Sequence, residues 1–196
     1  QGEGGAIPAP ASWLRQIHQI STDCSIPLIF DEVQTGWGRT GTLYAFEDSG
    51  VVPDVLVLSK AIGGGLPLAM ATGLATLNYI RDHDILGNVQ EMGIRFLERL
   101  LDLKQIHPFI GDVRGRGLML GMEIVDPEKT DFSAALADGQ KAREIQAACF
   151  RRGLIVELGG RHGAVMRLLP PLNITAAQVT AVSNIIAQAC QADAHV

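Results

Sequence analysis

The sequence predicts an α/β chain: a layer with a mostly parallel sheet, followed by an α+β region at the C-terminal end. Residues 26–30 form a short apolar run that stops at Asp31-Glu32, and residues 55–58 form a β-branched-rich run that stops at Ser59-Lys60. Both read as buried strands of a parallel sheet. Between and after them, apolar residues recur at the three- and four-residue spacing of amphipathic helices.

Taken in order, glycine and proline mark residues 1–10 as a loop. Residues 11–22 then carry Trp13, Leu14, Ile17 and Ile20 on one helical face, with Ser12 as the candidate N-cap. After the second strand, Leu74, Leu77, Ile80, Val89, Met92, Phe96, Leu97 and Leu100 extend a helical pattern over 72–104, with a break expected near Gly87. A strand over 118–125, a loop over 126–131 and a helix over 134–152 follow. Strands over 154–158 and 165–169 precede a last helix over 175–189, with Thr175 as its candidate N-cap. There is no internal repeat or low-complexity tract.

Composition narrows the function classes. The chain has 196 residues, 47% hydrophobic and 19% charged, which is ordinary for a globular protein. Its net charge of -5 and scattered Lys and Arg supply no basic patch, so nucleic acid is not an expected partner. Cys24, Cys149 and Cys190 are odd in number and lack a C-x-x-C pair, which argues against a disulfide framework or zinc site and fits a reducing cytoplasm. The apolar run over 51–58 is interrupted by Pro53 and Asp54 and falls far short of the roughly 20 residues of a membrane helix, so no membrane partner is expected. The first residues, Gln1-Gly2-Glu3-Gly4-Gly5, have neither the basic nor the apolar segment of a signal peptide, and the chain reads as beginning mid-protein.

In open α/β sheets, ligands gather beyond the carboxyl ends of the strands. Asp31 and Lys60 each follow such a strand, 29 positions apart. Singly, an Asp at a strand end is a turn or cap residue and a Lys is a solvated charge. Their combination is more specific. Gly2-Glu3-Gly4-Gly5, Asp31-Glu32-Val33-Gln34-Thr35-Gly36, Ser59-Lys60 before the glycines at 63–65, and Arg167-Leu168-Leu169-Pro170-Pro171-Leu172 occur in that order. Together they resemble the class III, ω-amino-acid branch of the fold-type I aminotransferases over almost the entire chain.

The resemblance implies pyridoxal 5'-phosphate as cofactor, with Lys60 as the Schiff-base lysine and general base and Asp31 as the partner of the ring nitrogen. By the same resemblance, Gln34 bonds the cofactor's phenolic oxygen, Val33 packs on its ring, and Arg167 binds the carboxylate of glutamate or 2-oxoglutarate. Glu3 pairs with Arg167 when the substrate presents an amine. The implied domains are part of a large cofactor-binding domain over 1–85, a connecting helix over 86–104 and a small domain over 105–196. Homodimers or larger homo-oligomers with shared active sites are implied as well.

Within the branch, the run 150–163 most resembles the diaminobutyrate–2-oxoglutarate aminotransferases, which move the 4-amino group of 2,4-diaminobutyrate and leave aspartate 4-semialdehyde and glutamate. Enzymes acting on 4-aminobutyrate or acetylornithine share the cofactor motifs, and a truncated, non-catalytic remnant or binding module is the reading of another class. The glycines at 63–65 have two readings, a phosphate cradle or close packing behind Lys60. Residues 112–118 read as a structural turn, and His162 and Trp37 as loop residues. The family's N-terminal half, with its phosphate-holding turn, has no counterpart here, and about thirty family residues are missing after Ala69. Unplaced stretches of a longer protein, closed up in the numbering, are the expected cause.

Overall fold

The computed structural model describes residues 1–63, 70–129 and 136–191. The chain divides into two compact units, Pro8–Gln90 and a second made of Gln1–Ile7 with Glu91–Val196.

In the first unit, helix α1 (Ala11–Asp23) precedes strands β1 (Ile29–Asp31) and β2 (Val55–Val57), which pair in parallel with Asp31 opposite Val57. Helix α2 (Met70–Asp82) and the start of α3 (Ile85–Ile106) complete it. The parallel pairing agrees with the sequence, but the expected burial does not. Ile29, Val55 and Val57 are 58%, 46% and 40% exposed, and α1 buries no residue. Two short strands and their flanking helices do not supply the covering layers that make a parallel strand a core element.

Three local expectations are corrected. Pro10, with φ -61° and ψ 137°, occupies the N-cap of α1, so Ser12 lies inside the first turn and does not cap. The helical pattern breaks at His83-Asp84, where Asp84 has φ 47°, and not at Gly87. Gly87 sits in the first turn of α3, where a Cβ would come within 2.5 Å of the Asp84 carboxylate. Residues 112–118 are not simply a turn: β3 (Ile110–Arg116) and β4 (Met119–Ile124) form an antiparallel hairpin around Gly117.

The second unit holds a four-stranded antiparallel sheet in the order β3-β4-β6-β5, with β5 at Glu157–Gly159 and β6 at Val165–Leu168. Strand β5 starts later than its apolar run because the Val156 carbonyl accepts from Gln146 Nε2 of α4 (Gly139–Arg151) at 2.8 Å. Asp138 is the N-cap of that helix, and its Oδ1 accepts from the backbone N–H groups of Gln140 and Lys141; the expected start near 134 lies outside the described residues. Residues 130–135 and the glycines at 64 and 65 lie outside the described residues.

Helix α5 (Ala176–Gln191) begins with a reciprocal cap. Thr175 Oγ1 accepts from Gln178 N at 3.3 Å while Gln178 Oε1 accepts from Thr175 N at 2.9 Å. The core joins Phe96 and Leu100 of α3 with Met122 and Ile124 of β4, Ile145 of α4, Met166 of β6 and Ile186 of α5, all at most 1% exposed. Burial on this scale makes β6 a rigid support for a functional side chain.

Candidate active site

Asp31 closes β1, and Lys60 lies three residues beyond the end of the neighbouring β2. Both side chains are exposed at the carboxyl edge of the parallel pair. One oxygen of Asp31 accepts from Val33 N at 3.0 Å, an Asx turn that aims the carboxylate. Lys60 has φ 45°, in the left-handed region that L residues enter at a cost of about 1–2 kcal/mol. Its turn is backed by α2: a Cβ on Gly73 would lie 2.8 Å from the Ile62 carbonyl. Val33 and Gln34 are half-buried in the loop that leaves β1.

Glu32 is the residue of this segment that sequence reasoning passed over. Its side chain is buried, and its carboxylate accepts from Ala45 N at 3.1 Å, Phe46 N at 2.9 Å and the Thr35 hydroxyl. Three donors thus satisfy the oxygens of a carboxylate that water does not reach. It ties both ends of the 32–46 loop to the end of β1 and so holds the backbone from which Asp31 and Gln34 project. The sequence signal was the second acid of the Asp31-Glu32 pair, which a strand-end reading treats as solvated. Within the same loop Trp37 is 4% exposed, in keeping with a packing role.

The second cluster belongs to the other unit. One transverse row of the antiparallel sheet carries Arg114 on β3, Gly121 on β4, Arg167 on β6 and Glu157 on β5, each directly opposite the next. Residues opposite each other across a ladder share a face. The segment Gln1–Ile7 lies on that face. Arg114 Nε donates to the Gly5 carbonyl at 3.0 Å, and Gly160 N donates to the Glu3 carbonyl at 3.0 Å. A Cβ on Gly121 would come within 2.8 Å of Gly5 O, so glycine is required for the approach.

This placement brings Glu3 to Arg167. Arg167 Nη1 donates to Glu3 Oε2 at 2.9 Å and stands 3.6 Å from Glu157 Oε2. The Arg167 side chain is 4% exposed, whereas Glu3 and Glu157 are 74% and 66% exposed. Gly159 makes room for the guanidinium stem, since a Cβ there would meet Arg167 Cδ at 2.6 Å. Arg167 and Glu157, with Asn173 and Gln178, are the polar members of a cleft of about 530 Å³ whose other lining residues, such as Phe96, Leu154, Ile155 and Ile174, are apolar. His162 is exposed in the turn between β5 and β6, with φ 57°. Among the described residues no His, Cys, Asp and Glu cluster could hold a metal ion.

A family model for class III aminotransferases matches residues 1–73 and 65–190. The chain belongs to the class III aminotransferase family. The two matched pieces of the family meet near residues 65–73. Among class III relatives, the diaminobutyrate–2-oxoglutarate aminotransferase of Rhizobium meliloti is 46% identical over 96% of this chain and 46% of its own length. That alignment runs over 217 positions, more than the 196 residues present, so the relative carries residues this chain lacks.

The Haemophilus influenzae enzyme of the same name is 41% identical over 89% of the chain and 44% of its own length. The 4-aminobutyrate aminotransferase of Escherichia coli is 33% identical over 96% of the chain and 50% of its own length. The solved N-acetylornithine aminotransferase of Stenotrophomonas maltophilia superposes with a TM-score of 0.84 at 31% identity, covering 98% of this chain and 54% of that one. The chain spans about half the length of these class III relatives.

Proposed function

We propose that the protein to which this chain belongs is a pyridoxal-phosphate-dependent transaminase that moves the 4-amino group of 2,4-diaminobutyrate to 2-oxoglutarate. The observation that carries the reaction class is the placement of an aimed carboxylate, Asp31, and a strained, exposed amine, Lys60, past the ends of two paired parallel strands. That donor set fits a cofactor with a basic ring nitrogen and an aldehyde. When bound, pyridoxal phosphate supplies an electron sink for the carbanion left after a C–H proton departs.

Asp31 would keep the ring nitrogen protonated through the carboxylate oxygen not engaged by Val33. Lys60 Nζ would take the proton from the amine-bearing carbon and deliver it to the carbon on the other side of the nitrogen, a 1,3-shift. Arg167, buried and fork-shaped, suits a carboxylate that binds through two parallel hydrogen bonds. Glu3 would occupy it while an amino donor is present and yield when 2-oxoglutarate enters. The diaminobutyrate donor is supported by two relatives of that name at 46% and 41% identity. The 4-aminobutyrate relative at 33% identity supports the second reading, a different donor on the same machinery. Assembly as at least a homodimer and a cytoplasmic location belong to the proposal; among the described residues no helix is long and apolar enough to cross a membrane.

Initial rates of the full-length holoenzyme with 2,4-diaminobutyrate, 4-aminobutyrate and acetylornithine at fixed 2-oxoglutarate test the donor. Intact mass before and after borohydride reduction tests the cofactor. The expected result is highest kcat/KM with diaminobutyrate and a reduced adduct mapped to Lys60. An unmodified Lys60 would overturn the transaminase reading and favour a non-catalytic remnant. A clear preference for another donor would overturn only the substrate.

A further inference from the structure

Among the described residues, the Glu3 and Glu157 carboxylates face Arg167, and they reach it by different routes. Glu3 comes from the separate Gln1–Ile7 segment and accepts a hydrogen bond at 2.9 Å. Glu157 sits opposite Arg167 in the β5–β6 ladder, and its Oε2 lies 3.6 Å from the same Nη1, an ion pair set by strand register. A substrate carboxylate that takes Arg167 must displace the hydrogen-bonded partner, Glu3. Nothing requires Glu157 to leave, because its contact uses no hydrogen bond that the substrate needs.

We infer that Glu157 is a specificity-determining residue that stays beside Arg167 through both halves of the reaction and weakens the guanidinium's hold on substrate carboxylates. The inference rests on the proposed transaminase reading of the site and extends it. With Glu3 in place, the Arg167 guanidinium and the Glu3 and Glu157 carboxylates together carry a formal charge of -1, counted over these three described residues. That charge attracts a donor bearing an extra ammonium group and opposes a dicarboxylate. The same opposition speeds release of the dicarboxylate product.

The test compares wild type, Glu157→Gln, Glu157→Asp and Arg167→Met as full-length holoenzymes. Binding of glutarate, a dicarboxylate with no carbonyl to react, is measured by calorimetry, and KM is measured for 2-oxoglutarate and for the amino donor. Removing a partly screened charge next to the site changes affinity about two- to fivefold. Glu157→Gln should therefore bind glutarate about two- to fivefold more tightly, with a lower KM for 2-oxoglutarate and a higher KM for the donor. Glu157→Asp, which restores the charge, should return these values toward wild type. A purely structural role would move both KM values in the same direction.

If Arg167→Met abolishes glutarate binding while Glu157→Gln leaves it unchanged, the role of Glu157 is overturned and that of Arg167 stands. If wild type fails to bind glutarate, or binds it independently of Arg167, the carboxylate-site reading falls with it.

Discussion

Arg167 and Glu3 are 164 residues apart in sequence, yet Arg167 Nη1 donates to Glu3 Oε2 at 2.9 Å from a side chain that is 4% exposed. Three backbone-level features make the pair: the Gly160 N–H on the Glu3 carbonyl, Arg114 on the Gly5 carbonyl, and glycine at 121. The pair is thus a property of the sheet face, and it can open without unfolding the sheet.

Arg167→Met should separate the two half-reactions. Truncating a buried charged partner costs on the order of 2–5 kcal/mol of binding, so KM for 2-oxoglutarate should rise roughly a hundredfold or more. On the proposed function the donor half-reaction uses Arg167 only as a partner of Glu3, and it should persist. Single-turnover absorbance measurements with donor alone and acceptor alone give the two effects. Equal loss in both would show that Arg167 acts on something other than the acceptor carboxylate.

Glu32→Gln should destabilise the protein more than a surface Glu substitution. The buried carboxylate accepts from Ala45 N, Phe46 N and the Thr35 hydroxyl, and an amide nitrogen in place of one oxygen would turn a donor toward a donor. The expected cost is about 2–4 kcal/mol. Urea denaturation measures it, and a change below about 0.5 kcal/mol, the range of ordinary surface substitutions, would mean that the loop does not depend on this carboxylate.

Gly93→Ala sets two effects against each other. Alanine in place of glycine inside α3 gains about 1 kcal/mol of helix propensity. The new Cβ, however, would come within 2.5 Å of the Gly117 carbonyl and 2.8 Å of its Cα, both backbone atoms of the β3–β4 hairpin. Overpacking of this kind costs roughly 1–3 kcal/mol, so the net change should be destabilising. A raised melting temperature would show that the hairpin yields freely.

Cys149 should be inert in the native state. It is fully buried, and burial pushes its thiol up to about 11 from 9.0, partly offset by Arg152. Alkylation at pH 8 followed by peptide mapping should label the exposed Cys24 quickly and Cys149 only after denaturation. The same displacement gives a pH effect. Between about 9 and 11 the unfolded thiol releases its proton while the folded one keeps it, so the unfolded state binds fewer protons and stability falls as pH rises through that window. Rapid native labelling of Cys149 would contradict its burial.

Much of the architecture was legible locally. The periodicity of 11–22 announced α1, the two apolar runs announced β1 and β2, and Thr175 announced the cap of α5. These features depend on residues within a turn or two of each other. Errors arose where a neighbour decided the outcome: Pro10 displaced Ser12 from the cap, Asp84 and not Gly87 broke the long helix, and the segment read as a turn at 112–118 became half of a hairpin.

The chemistry-bearing residue types, and their order along the chain, were already determined by sequence alone. Asp31 and Lys60 follow the two short apolar runs, and where those runs stop is readable without coordinates. Only the tertiary structure decided that Arg114, Gly121, Arg167 and Glu157 share one row, and that Glu157 therefore stands beside Arg167. Register across four strands is fixed by packing between segments far apart in sequence, and a one-residue slip would turn every one of those side chains to the other face.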